Sequence, residues 1–297
     1  MAKALVSVKG GLGNQMFFYA FALYLKNLGY KPHLIWFSYI YTKHHYGVEL
    51  FDYFEISDRW SKRTSDFFVY FGYALLFSAC KRMIGKLVRL YYEGRYHICN
   101  QSFPYAFELI SKPQGKTTQY FDGWWQNYGY IEPIKKELIQ RFKFKLPTNG
   151  HYTQYVPQIR TTNSVALHIR RGDYLHKDFK DLNIITSLDY YIKAIANINQ
   201  KVTEPVFFVF TDDHEWARKN FEGDDFVFVE GNVGRQSYID MYLMSMCKHN
   251  IISNSTFSWW GAFLNRNPNK IVIAPSMWTT NYSATFICPS DWTLIQI

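Results

Sequence analysis

Four residues that can carry charge, His168, Arg170, Arg171 and Asp173, arrive within six positions at the end of the β-prone run Val165–Ile169. In open α/β sheets ligands bind outside the carboxyl ends of the strands. Two adjacent guanidinium groups delivered there therefore fit an anionic ligand, most simply a phosphate or diphosphate. A surface ion pair between Arg171 and Asp173 after an ordinary strand accounts for the same residues.

Other stretches bear on that choice. Ser253-Asn254-Ser255-Thr256 follows Ile251-Ile252 and precedes an apolar helix. Four small hydrogen-bonding residues there form an N-cap, or a helix start whose hydroxyls and backbone N–H groups hold a phosphate. The strand-like run Val206–Thr211 ends in Asp212-Asp213, and Asp240 sits on a helix before the serine-rich segment. Asp240 is either a solvated helix residue or an acceptor for a guanine N1–H and amino group. Near the N-terminus, Gly10-Gly11-Leu12-Gly13-Asn14-Gln15-Met16 joins a strand to an apolar helix. Met16 stands where a dinucleotide fingerprint would place its third glycine. Gly11 and Gly13 still allow backbone to approach a ligand, with Asn14 as a further amide or as the helix N-cap. Gly115-Lys116-Thr117 looks like the end of a P-loop, but Ile110 replaces its first glycine. No Asp-x-Asp occurs, so the two arginines and the helix start at Ser255 and Thr256 are the groups expected to stabilise a departing diphosphate without a metal.

The elements that must position these residues follow a βα rhythm. Strands are expected near 3–9, 33–37, 117–123, 164–170, 205–211, 226–229, 249–253 and 270–275. Helices are expected near 16–28, 131–142, 187–200, 213–221, 235–247 and 256–266. The polar, proline-bearing passage 146–163 reads as a linker, dividing the chain into domains 1–155 and 156–297. Trp124 and Trp125 close one strand, where indoles either stack on a sugar or fill a core. Residues 67–90 run from aromatic to basic and amphipathic, too short to span a bilayer. They form either an internally packed helical hairpin or a peripheral contact with an anionic membrane.

With 297 residues, a net charge of +9 and 20% aromatic residues, the chain can bury a large core and calls for an acidic partner. Cys80, Cys99, Cys247 and Cys288 are too dispersed for a zinc site and read as reduced thiols. Met-Ala-Lys leads directly into a strand with no signal-peptide pattern, and a cytoplasmic location is expected, peripheral on the inner membrane face if 67–90 binds lipid.

Together the glycine loop, His168-Ile169-Arg170-Arg171-Gly172-Asp173-Tyr174 and Ser253-Asn254-Ser255-Thr256-Phe257-Ser258-Trp259-Trp260-Gly261-Ala262 resemble the α-1,2-fucosyltransferases of glycosyltransferase family 11. The resemblance implies an α/β fold of GT-B type, with two facing Rossmann-like domains and the C-terminal one holding the donor, GDP-L-fucose. It implies that Arg170 binds the diphosphate, Asp240 reads guanine, Ser255 or Thr256 holds phosphate oxygens, and Asp212 and Asp213 lie near the donor. Asn14 would stand at the junction of donor and acceptor. The implied reaction is an inverting, metal-free transfer to the 2-hydroxyl of a galactoside, in an oligosaccharide or a lipid-linked glycan of surface or O-antigen type. Asp173 and His168 are candidate bases by proximity alone. Two competing readings are the same machinery with another GDP-sugar, and a single-strand nucleic-acid binder. The scattered rather than striped basic residues disfavour the nucleic-acid binder, so no nucleic-acid partner is expected.

Overall fold

The computed structural model describes residues 1–36, 39, 46–58, 110, 113, 118–148, 150–172 and 186–297, together with the backbone of 97–101. Asp173, Cys80, the segment 115–117 and the stretch 67–90 lie outside the described residues. Among the described residues no helix is long and apolar enough to cross a membrane. The chain divides into two compact units, Met1–Lys143 and Phe144–Ile297, each built on its own parallel sheet.

The first unit runs β1 (Lys3–Ser7), α1 (Leu12–Asn27), β2 (Lys31–Ile35), α2 (Leu50–Tyr53), β3 (His97–Gln101), β4 (Gln119–Gly123), α3 (Tyr128–Ile131) and α4 (Lys135–Arg141). Its strands lie in the order β2-β1-β4-β3, all parallel. The α1 segment contains no proline and no β-branched residue, which favours helix throughout. Its residues are buried almost all round, as expected of a helix enclosed by its own domain. The helix begins at Leu12, one turn earlier than expected, because extended Gly11 is the N-cap and Asn14 falls within the first turn. Gly10, at φ +81°, makes the sharp turn out of β1; a Cβ there would lie 2.5 Å from Asn14 Nδ2. The single helix expected over 131–142 is instead α3 and α4 joined by a 3₁₀ turn at Glu132–Ile134, where Pro133 cannot donate an interior helix bond.

Trp125 belongs to the core. It is fully buried and stacks on Phe21 with centroids 4.0 Å apart, while Phe121 and Tyr130 meet it edge-on. Trp124 is half-buried.

In the second unit the passage expected to be a linker is folded. It forms a 3₁₀ turn at His151–Gln154 and α5 (Val156–Thr161), with Ile159 fully buried. Pro157 starts that helix, a position where its missing N–H costs nothing. There follow β5 (Asn163–Ile169), α6 (Leu188–Asn199), β6 (Pro205–Thr211), α7 (His214–Asn220), β7 (Phe226–Phe228), α8 (Tyr238–Met246), β8 (His249–Ile251), α9 (Thr256–Leu264), β9 (Val272–Pro275), the hairpin β10 (Met277–Thr279) and β11 (Tyr282–Ser283), and β12 (Thr293–Ile295).

The six parallel strands lie in the order β12-β9-β8-β5-β6-β7. The chain builds outward from β5 in one direction and returns through β8 to build in the other. A topological switch point therefore falls between β5 and β8.

Alternation along β5 assigns its side chains to faces. Val165, Leu167 and Ile169 pack in one cluster with Tyr190, Tyr191, Ala194 and Ile198 of α6. His168 therefore lies on the opposite face, where its ring is 6.1 Å from that of Phe257 in α9. α8 and α9 pack closely: a Cβ on Gly261 would lie 2.9 Å from Met244 Cβ. Cys247 and Cys288 are free and buried, and desolvation pushes both thiols up, away from reactivity.

Candidate active site

At the end of β5, Arg170 Nη1 bonds Asp212 Oδ2 at 2.9 Å. The other oxygen, Asp212 Oδ1, accepts the backbone N–H groups of Arg171 at 2.9 Å and Gly172 at 3.1 Å. One carboxylate from the end of β6 thus holds the loop leaving β5. Gly172 suits the closeness of this contact: a Cβ there would lie 2.9 Å from Asp212 Oδ2 and would push that carboxylate aside.

The neighbouring carboxylate has different work. Asp213 caps α7 by accepting from Trp216 N at 3.1 Å and takes Arg171 Nε at 3.2 Å. The Arg171 guanidinium also lies 4.2 Å from the Trp216 ring centroid. Stacking and a fixed ion pair make Arg171 the more constrained arginine. Its side chain is 19% exposed against 32% for Arg170. Arg171 pairs with Asp213; the alternative pairing with Asp173 falls on a residue outside the described ones.

His168 is buried and its Nδ1 lies 2.9 Å from Ser253 Oγ. Burial, reinforced by the Arg170 charge, pushes its pKa down to about 3, so the imidazole is neutral near pH 7. A base that weak suits positioning rather than proton abstraction. The His168–Ser253 bond joins the ends of β5 and β8 directly across the switch point.

Two adjacent tyrosines on α6 fasten the same pair of strand ends. Tyr190 OH donates to Ile252 O at 2.6 Å, and Tyr191 OH donates to His168 O at 3.3 Å. Burial raises both phenols, which keeps them as donors. Ser255 is the α9 N-cap, accepting from Phe257 N at 3.3 Å, and Thr256 is the first helical residue. Asn254 is buried between Thr186 and the Trp278 carbonyl.

Asp240, half-buried in the first turn of α8, accepts from Asn232 Nδ2 at 2.7 Å. Desolvation raises its pKa to about 7 despite that bond. Trp216 and Asn232 carry no motif spacing; only the positions of β6 and α8 reveal them.

His168, Arg170, Arg171, Asp212, Asp213 and the Ser255 helix start are thus gathered at three neighbouring strand ends, those of β6, β5 and β8. Asp240 is engaged by Asn232 from the loop that precedes its helix. Gly11, Gly13 and Asn14 belong to the first unit, where Asn14 Oδ1 accepts from Gln126 Nε2 at 2.7 Å. Gln15 ties the glycine loop to the start of α2, donating to Gly47 O at 2.8 Å and accepting from Glu49 N at 2.9 Å.

The family model for glycosyl transferase family 11 matches residues 3–296. The chain belongs to glycosyltransferase family 11. It is 31% identical to an α-1,2-colitosyltransferase of Escherichia coli, with 100% of both chains covered. The O-antigen biosynthesis glycosyltransferase WbnK of Escherichia coli is 42% identical over 44% of each chain. Galactoside alpha-(1,2)-fucosyltransferase 2 of Mus musculus is 25% identical over 48% of this chain and 44% of its own length. The last two matches span under half of those relatives. Among solved structures, a mutant of Arabidopsis thaliana FUT1 in complex with GDP superposes with a TM-score of 0.50 and 13% identity, covering 97% of this chain and 76% of that one. That likeness concerns fold: a family 11 glycosyltransferase of GT-B type, with two parallel-sheet α/β units.

Proposed function

We propose that the protein is an inverting transferase that moves L-fucose from GDP-β-L-fucose to the 2-hydroxyl of a terminal galactoside, forming an α-1,2 linkage in surface-glycan or O-antigen assembly. The observation that carries this reading is the gathering of Arg170, Arg171 and the Ser255–Thr256 helix start at the β5–β8 switch point of a family 11 chain.

The chemistry follows from the charge that develops. As the bond from the anomeric carbon to the diphosphate oxygen breaks, negative charge grows on the diphosphate. Guanidinium and helix N-terminal N–H donors stabilise it in place. Arg170, on the more exposed of the two pairs, is the donor-facing arginine, and Arg171 fixes the loop that carries it. Asp240, when ionised, accepts the guanine N1–H and amino group, with Asn232 orienting it. Asn14 serves the acceptor side. The acceptor oxygen attacks the opposite face of the sugar, which inverts the anomeric centre. Neutral His168 supports Ser253, so this reading places the driving force in leaving-group departure, with Asp173 as the remaining candidate base.

The full-length likeness to an α-1,2-colitosyltransferase favours one second reading, transfer of a colitosyl group by the same site. Incubating the purified protein with GDP-L-fucose and lactose, with the colitosyl donor in parallel and in competition, decides between them. An α-1,2-linked fucosyl product, assigned by NMR, is expected. Exclusive use of the colitosyl donor would replace fucose in the proposal, and no GDP-sugar turnover with any galactoside would overturn it. Full activity in EDTA is also expected; activity lost to EDTA and restored by Mg²⁺ or Mn²⁺ would refute the metal-free mechanism.

A further inference from the structure

The carboxyl ends of β1 and β4 carry a second cluster that the donor chemistry does not use. These strands are adjacent in the first unit's sheet, and the chain reaches β2 on one side and β3 on the other, so a crevice between their ends is where a ligand is expected. Lys9 follows β1, and Asp122 and Gly123 end β4. Lys9 Nζ bonds Asp122 Oδ1 at 3.2 Å and lies 5.0 Å from the centroid of the Trp124 ring. The Asn14–Gln126 amide pair joins the same two strand ends at 2.7 Å.

Trp124 separates sharply from its neighbour. Trp125 is enclosed by Phe21, Phe121 and Tyr130, whereas Trp124 is half-buried, with Phe18 tilted near it at 6.4 Å and a flexible lysine on its ring. A partly open indole with an ammonium on its ring and that ammonium's partner carboxylate beside it, at the strand ends that the carboxamide pair also joins, matches a sugar ring. The C–H face of a sugar packs on the aromatic surface, and its hydroxyls both donate and accept. The kind of donor separates this site from an anion site: it offers one ammonium already paired with Asp122, and neither a guanidinium fork nor a helix start is among the groups named.

We infer that Lys9, Asp122 and Trp124, with Asn14 and Gln126 at their side, form a subsite for the neutral saccharide acceptor. Trp124 supplies the stacking face and Asp122 accepts from sugar hydroxyls, with the long Lys9 stem yielding the indole to the ligand. This rests on the proposed transferase reading only for the name acceptor; the saccharide subsite stands on the cluster itself.

The test has a binding arm and a kinetic arm. With ¹⁵N-labelled tryptophan indoles, titration with lactose is expected to move the Trp124 indole resonance, identified by its loss in Trp124→Phe, saturably and before the resonance of Trp125. No lactose-dependent shift at Trp124 overturns the subsite, whatever donor the protein uses. In turnover, Trp124→Ala is expected to raise the KM for lactose at least tenfold. Asp122→Asn, which keeps the side-chain shape, should raise it three- to tenfold. The KM for GDP-L-fucose and its slow hydrolysis without acceptor should stay within twofold in both. An unchanged lactose KM, or an equal loss in donor KM, overturns the assignment. Failure of the wild-type protein to hydrolyse or transfer from GDP-L-fucose would instead sink the proposed donor, leaving the NMR result to decide the subsite.

Discussion

The two sheets end in clusters of opposite construction. In the first unit a lysine and an aspartate neutralise each other beside a partly open indole. In the second, two arginines are held by two aspartates beside a hydroxyl-rich helix start. Both clusters are balanced in formal charge, so net charge does not distinguish them. What differs is the kind of donor. Guanidinium groups are always protonated and present five N–H donors in a rigid fork, and helix N–H groups add to them, whereas a lysine stem over an indole is mobile and offers a flat face. The first construction suits neutral hydroxyls and the second an oxyanion.

Four measurements press on that contrast, beginning with the largest effect. Arg170→Ala should lower kcat/KM about 10²–10³-fold or more, the scale of losing a preorganised donor at a developing oxyanion, while the fold and lactose binding persist. Near-normal turnover would erase the distinction between the clusters. Next, Asp212→Ala leaves the exposed loop amides of Arg171 and Gly172 without their acceptor, and should cost about 0.5–1.5 kcal/mol in urea unfolding besides weakening donor use. If turnover falls while stability is unchanged, Asp212 acts on ligand and not on the loop.

A third measurement uses acidity. Burial of His168 holds its folded pKa near 3, below the ordinary 6.5, so its contribution to stability is complete above pH 6.5 and is lost as pH falls toward 3. Between pH 7 and pH 5 the wild type should lose about 2 kcal/mol on this account. His168→Asn should flatten that slope by a comparable amount; an unaltered slope would mean that the ring is hydrated.

Asp240 has the opposite sign. Its folded pKa of about 7 is raised, so its stabilising contribution is present below the unfolded pKa near 4 and is lost as pH rises through 7. On the proposed reading it is the ionised form that accepts from guanine, and that form declines as pH falls through about 7. The KM for the donor should therefore rise as pH falls below 7, approaching about tenfold per unit. The KM for lactose should stay flat, and parallel pH profiles for the two substrates would contradict the separation of sites.

The sequence made the second unit more legible than the first, for physical reasons. Strands such as Pro205–Thr211 are short apolar runs between breakers, and α6 repeats Tyr190, Ala194 and Ile198 at helical spacing behind a serine cap, so both announce themselves. The three-residue strand Thr293–Ile295 and the hairpin Met277–Ser283 are too short to show a period. Within the site, strand ends identified Arg170, Arg171, Asp212 and Ser255 because charge and hydroxyls followed apolar runs. How they pair was not legible. Sequence offered only nearby Asp173 as a partner for Arg171; the pairing with Asp213, 42 positions away, follows from β5 and β6 being neighbours in register. Trp124 and Trp125 are the same residue type in succession. Only the positive φ of 49° at Trp125 and the packing around Phe21 separate wall from core.

The bond from Arg170 to Asp212 has a consequence for timing. A free arginine side chain carries roughly 2 kcal/mol of rotamer entropy, and a ligand that must order it loses that much affinity. Here the ordering occurs when the chain folds. On the proposed reading, an arriving anion meets an arm whose conformational choice has already been made by its bond to Asp212.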